Sequence, residues 1–133
     1  MTSETAYEGG CLCGAVRYRA EGAPDHADHC HCEMCRRHGG VAFETWVSFV
    51  TDRFAWTKGA PKVHVSSDIA ERGFCERCGS PLTFQYNARR DIVSVTVGSL
   101  DRPQDIAPEG HHWDDARISW LRLDDHLPRY ERE

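Results

Sequence analysis

Apolar positions in this chain come in short runs that alternate with polar ones and never recur every three or four residues for long. Residues 15–20 alternate around Val16 and Tyr18, and 41–50 gather Val41, Phe43, Thr45, Trp46, Val47 and Phe49. Further runs rich in β-branched or aromatic residues cover 53–56, 62–65, 82–86, 92–97 and 118–123. They predict strands, because such side chains suit a pleated, half-buried surface. Gly9-Gly10, Gly39-Gly40, Lys58-Gly59, Gly79 and Gly98 fall between the runs, where turns are expected. Only 32–38 reads as helix, with two turns at most. The predicted class is mainly β, one domain over 1–133 with short antiparallel strands.

A chain of 133 residues has room for one hydrophobic core, and 40% hydrophobic with 28% charged residues is ordinary for a soluble protein. The net charge is −5, and no basic run exceeds the pairs Arg36-Arg37 and Arg89-Arg90. That excludes a grip on nucleic-acid backbones as the expected function. Residues 1–8 carry neither a basic segment nor an apolar stretch of the kind a secretory leader needs. No apolar run approaches the roughly 20 residues of a membrane helix. The expected location is therefore the cytoplasm, where thiols stay reduced, and a disulfide framework is disfavoured. A homodimer is the default association for a small chain, with no particular residue behind it.

The cysteines change the picture most. All seven fall in three groups: Cys11-Leu12-Cys13-Gly14, Cys30-His31-Cys32-Glu33-Met34-Cys35 and Cys75-Glu76-Arg77-Cys78-Gly79. Core cysteines would be scattered among apolar neighbours. The odd count and the C-x-C spacings do not suit disulfides. A C-x-x-C can be a redox dithiol, but neither one opens a βαβ unit. Zinc explains the arrangement best. On an extended strand, Cys11/Cys13 and Cys30/Cys32 would each turn two sulfurs to one side. Gly14 and Gly79 directly follow a cysteine, where a positive φ closes a tight knuckle. Cys11, Cys13, Cys75 and Cys78 thus read as a structural tetrahedral site joining knuckles about sixty residues apart. Cys30, Cys32 and Cys35 supply three thiolates, the ligand number of a zinc site with an open position. A histidine is the alternative fourth ligand, His38 being better placed than His29 or His31.

Other candidates each have a plainer reading. Arg36 and Arg37 can grip a carboxylate, or simply offset thiolate charge in solvent. Phe43, Trp46 and Trp56 can line a pocket, though aromatics at strand spacing usually build core. His111-His112 beside Trp113 reads first as a solvated loop, with an acid–base role as the alternative.

With these motifs quoted, the chain resembles the glutathione-dependent formaldehyde-activating enzyme family. The resemblance rests on Gly9-Gly10-Cys11-Leu12-Cys13-Gly14-Ala15-Val16-Arg17-Tyr18, Cys30-His31-Cys32-Glu33-Met34-Cys35-Arg36-Arg37 and Arg72-Gly73-Phe74-Cys75-Glu76-Arg77-Cys78-Gly79-Ser80-Pro81-Leu82. Val97-Gly98-Ser99-Leu100-Asp101 and Leu127-Pro128-Arg129-Tyr130 extend it, so it runs from about Gly9 to Tyr130. It implies a tent-like, mainly β zinc fold, with Cys11, Cys13, Cys75 and Cys78 as structural ligands. Cys30, Cys32 and Cys35 match a second, labile zinc. The implied activity is carbon–sulfur bond chemistry, condensing glutathione with formaldehyde to S-hydroxymethylglutathione, so the implied partners are a small thiol and an aldehyde. An open three-thiolate zinc can accept the substrate thiol as its fourth ligand. The rival readings are a non-enzymatic module with two structural zincs and a redox or metal-buffering protein.

Overall fold

The computed structural model describes residues 5–133; residues 1–4 of the segment inspected for a leader lie outside it. Two sheets make the frame. Strands β1 (Ala6–Gly10), β2 (Arg17–Glu21) and β5 (Phe54–Lys58) form an antiparallel three-stranded sheet in the order β1-β2-β5. The larger sheet contains β3 (His26–Cys30), β4 (Glu44–Val50), β6 (Lys62–Val65) and β7 (Ala70–Phe74). It also contains β8 (Pro81–Tyr86), β9 (Ile92–Thr96) and the two-residue β10 (His111–His112). Its order is β10-β3-β4-β9-β8-β7-β6.

The core sits between the sheets. Tyr18 and Ala20 of β2 meet Ala27 of β3, Val47 and Phe49 of β4, and Val93 and Val95 of β9. Successive strand residues point to opposite faces, so the intervening side chains of the larger sheet form a second face. Across it, His26, Ser48, Ser94, Phe84 and Arg72 stand opposite one another in register on β3, β4, β9, β8 and β7. Ser48 and Ser94 hydrogen-bond at 2.7 Å, and His26 Nε2 lies 3.2 Å from the Ser48 hydroxyl. That face floors the cavity described below. It explains why β4 is buried on both sides from Thr45 to Phe49.

The helix α1 covers Glu33–Gly39, one residue on from its expected position. Cys32 caps it, its Sγ accepting the Cys35 amide at 3.3 Å, and Gly40 ends it with φ of 64°.

Four expectations need correction. Gly9 and Gly10 belong to β1 and form no turn. A side chain at Gly9 would collide with the Ser99 carbonyl and the Tyr18 hydroxyl, so this strand crosses its neighbours too closely for a Cβ. Strands β3 and β7 are additional, their polar residues having hidden the alternation. Residues 118–123 form no strand: the Leu121 amide turns back to the Ile118 carbonyl at 3.0 Å, and Trp120 stays exposed. Finally, β10 pairs with β3 in parallel, the exception in an otherwise antiparallel sheet.

Candidate metal centres and the cavity beside them

Cys11, Cys13, Cys75 and Cys78 come together with their sulfurs within 4.8 Å of one another. Cys11 and Cys13 sulfurs lie 3.6 Å apart, and Cys13 and Cys75 sulfurs 3.8 Å apart. Zinc–sulfur bonds of about 2.3 Å at tetrahedral angles place sulfurs about 3.8 Å apart, so this donor set fits zinc. Turns deliver the sulfurs, in place of the expected strand face. Cys11 to Gly14 is closed by the Gly14 amide on the Cys11 carbonyl at 3.2 Å, and Cys75 to Gly79 likewise at 2.7 Å. Gly14 and Gly79 have φ of 80° and 81°, the conformation glycine was expected to provide.

Ser80 ties the two knuckles together. Its hydroxyl accepts the Leu12 amide at 3.0 Å and lies 3.1 Å from Cys78 Sγ. That hydroxyl, helped by the Ser80 backbone, draws the Cys78 thiol down to about 5, so it is ready as a thiolate ligand. The Val16 amide donates to Cys11 Sγ at 3.3 Å.

Cys30, Cys32 and Cys35 form the second cluster, also within 4.8 Å. Cys30 ends β3, Cys32 caps α1, and Cys35 lies in its first turn, buried. Hydrogen bonding from the Cys30 and Cys35 thiols draws the Cys32 thiol well below its usual range, while Cys30 is pushed up by its contacts with Cys32 and Cys35. Three crowded sulfurs, one already favoured as thiolate, fit a soft cation. Among the described residues no histidine or carboxylate joins the three within that distance. His38 instead borders a separate groove with His64. His29 and His31 face away from the sulfurs and stack beside Phe43 and His111.

Two side chains reach the cluster from the sheet. The Trp46 indole N–H donates to Cys35 Sγ at 3.4 Å, and Arg72 Nη2 lies 3.6 Å from the same sulfur. The Arg72 guanidinium is held over Phe84 at 4.9 Å and Trp46 at 5.9 Å. A cavity of about 760 Å³ opens here, floored by Trp46, Ser48, Ser94, Phe84 and Arg72 with the three cysteines at one end. Ile69 and Tyr86 add apolar wall, and His112 and Trp113 border it from the C-terminal segment.

The other candidates divide. Trp46 lines the cavity, whereas Trp56 packs against Tyr18 and Phe54, and Phe43 against the histidines. Arg36 and Arg37 pair with Glu33 at 3.9 and 3.3 Å and do not line the cavity. His111 is no loop residue. It is fully buried, with Nε2 bonded to Asp125 at 2.7 Å and Nδ1 to His31 Nε2 at 2.8 Å. The carboxylate accepts, so His111 carries its proton on Nε2 and accepts from His31. Arg72 is the site residue that sequence reading did not single out. Its only signal was an arginine in a short segment leading into the third cysteine motif.

A model of the glutathione-dependent formaldehyde-activating enzyme family matches residues 6–116. The chain belongs to that family. Among its relatives, a putative glutathione-dependent formaldehyde-activating enzyme of Halomonas elongata is 30% identical over 114 residues, covering 79% of this chain and 72% of the relative. An uncharacterized lyase of Schizosaccharomyces pombe is 36% identical over 80 residues. That match spans 60% of this chain and 58% of the relative's length. A crystal structure of a Rhodobacter sphaeroides protein superposes with a TM-score of 0.57 over 92% of this chain and 98% of that one. At 20% identity it supports the fold alone. Among the described residues no helix is long and apolar enough to cross a membrane.

Proposed function

We propose that the protein is a zinc-dependent carbon–sulfur lyase or synthase, joining or releasing a small thiol such as glutathione and an aldehyde such as formaldehyde. One observation carries the reading: three cysteine sulfurs, joined by no fourth ligand among the described residues, stand at the end of a cavity of about 760 Å³. Clefts of this volume hold small-molecule ligands, and a tripeptide thiol with an aldehyde adduct falls within their range.

Cys30, Cys32 and Cys35 would hold the ion. Zinc bound there supplies the positive charge that lets a substrate thiol ionise near neutral pH. The chain's own contribution is orientation and charge balance. Trp46 and Arg72 donate to Cys35, and the Cys35 amide donates to Cys32. These donors draw off sulfur charge, as amides and indoles do around metal thiolates. Trp46, Phe84 and Tyr86 give the cavity an aromatic wall beside the cysteines. Cys11, Cys13, Cys75 and Cys78 are the proposed structural site, which pins the two sheets.

Glutathione and formaldehyde equilibrate with their adduct unaided, so the test is a rate. Exchange of ¹³C-labelled formaldehyde with S-hydroxymethylglutathione, followed by NMR exchange spectroscopy, is faster with the zinc-loaded protein than with buffer. The acceleration is absent in Cys32→Ser. Equal rates with and without protein would exclude this substrate pair, and identical rates for Cys32→Ser would exclude the site.

A further inference from the structure

Arg72 is only 3% exposed, and its Nε and Nη1 are buried without a hydrogen-bond partner among the described residues. An arginine in that position is costly. A buried donor left unmet forfeits its bonds to water, and the loss is greater when the group is charged. The conformation is nonetheless firmly held. β7 places Arg72 opposite Phe84, whose ring lies beneath the guanidinium, and Trp46 flanks it. Among the described residues no carboxylate is paired with it; the half-buried Glu44 feels its charge at a distance. Balancing thiolate charge would occupy Nη2, which lies 3.6 Å from Cys35 Sγ. It does not account for the two other donors, and the residue borders the cavity.

We infer that Arg72 is the oxyanion-binding group of this cavity, receiving the anionic oxygen that develops on the carbon joined to the reacting sulfur. The inference rests on the thiol-and-carbonyl reading above. A sulfur sharing the three-cysteine cluster brings the carbon attached to it, and that carbon's oxygen, to the guanidinium edge. When the thiolate adds to a carbonyl, the sulfur lone pair forms the C–S bond and the C=O π pair moves to oxygen. Arg72 receives the resulting alkoxide, which then takes a proton from water. In the reverse direction the adduct hydroxyl gives its proton to water, the C=O bond reforms and the thiolate leaves. Arg72 keeps its charge throughout, as a guanidinium does. A preorganised donor that meets charge only as it develops favours the transition state over the ground state.

The test uses two small thiols of similar size, mercaptoacetate and 2-mercaptoethanol, with the zinc-loaded protein. The first carries a carboxylate beside its thiol and the second a neutral hydroxyl. Binding is read from intrinsic tryptophan fluorescence, to which Trp46 reports because its indole touches Cys35, together with zinc per chain and the melting temperature. The wild type binds mercaptoacetate about tenfold more tightly, the worth of one charge-assisted hydrogen bond. Arg72→Lys keeps the positive charge and loses that preference, read as the ratio of the two affinities in the same protein. Equal affinities in the wild type would overturn the role of Arg72 while leaving thiol binding intact. A preference retained in Arg72→Lys would overturn it as well. If neither thiol binds the wild type, the thiol reading itself fails and this inference falls with it. The wild-type comparison stands even if the variant does not fold.

Discussion

Cys13 and Cys75 are 62 residues apart in the chain, yet their sulfurs lie 3.8 Å apart. That contact joins the turn after β1 of the small sheet to the turn between β7 and β8 of the large one. Beneath it the apolar cluster is small, chiefly Val16 and Leu82 packed against Cys11 and Cys75. A structural zinc can contribute on the order of 10 kcal/mol to folding. Whole domains are stable by only about 5–15 kcal/mol. Cys75→Ser is therefore expected to abolish cooperative thermal unfolding, whereas Cys35→Ser keeps a sharp transition in the same circular-dichroism experiment. Equal melting of the two variants would mean that the clusters do not divide the work as described.

Ser80 bridges the knuckles from the Leu12 amide to Cys78 Sγ. Ser80→Ala removes both bonds and raises the Cys78 thiol toward its ordinary range. The expected cost is about 1–3 kcal/mol in denaturant unfolding. Zinc transfer to a chromophoric chelator should also quicken from the four-cysteine site. Unchanged transfer would reduce the serine to a passive neighbour.

Gly9 tests the close crossing of β1. Gly9→Ala drives a methyl group into the Ser99 carbonyl and the Tyr18 hydroxyl, which is itself bonded to Ser99 Oγ at 2.7 Å. Overpacking of this kind costs about 1–3 kcal/mol. Gly98→Ala, with nothing within 4 Å of the added carbon, is the control. A melting temperature lowered only at Gly9 is the expected outcome.

His31 gives the fold a pH dependence. Burial, reinforced by the neighbouring His111, pulls it from 6.5 down to about 4. The unfolded chain therefore binds its proton more readily than the folded one. Stability contributed by neutral His31 is present above pH 6.5 and is lost as pH falls through that window toward 4. His31→Gln, which retains a donor for His111, should flatten the fall in melting temperature between those limits. The cysteine ligands titrate alike in both proteins, so the difference in slope isolates the histidine. Parallel curves would contradict a buried, neutral His31.

Much of the architecture was legible because particular residues have few structural options. β6 matches its expected range, and β8 and β9 begin or end within a residue or two of theirs. Gly14 and Gly79 announced their positive φ because each follows a ligand cysteine where only a tight turn fits. β3 was hidden because its cavity face is polar, with His26 and Asp28 standing where alternation normally shows apolar residues. His111 was misplaced because its partners, His31 and Asp125, are remote in sequence. Residues 118–123 carry a strand-like composition but have no strand beside them to pair with. Arg72 was overlooked because burial of a charge is a tertiary fact: nothing local to β7 discloses the ring of Phe84 or the sulfur of Cys35.

Cys30, Cys32 and Cys35 are proposed as an open site that a substrate thiol completes. The most direct measurement is the sulfur-to-metal charge-transfer absorption of the cobalt-substituted protein during a glutathione titration, which scales with the number of bound thiolates. A saturable rise is expected as a three-thiolate site gains a fourth, with no such rise in Cys35→Ser. A spectrum in which both metals already carry their full complement and ignore glutathione would contradict it, leaving two closed structural sites.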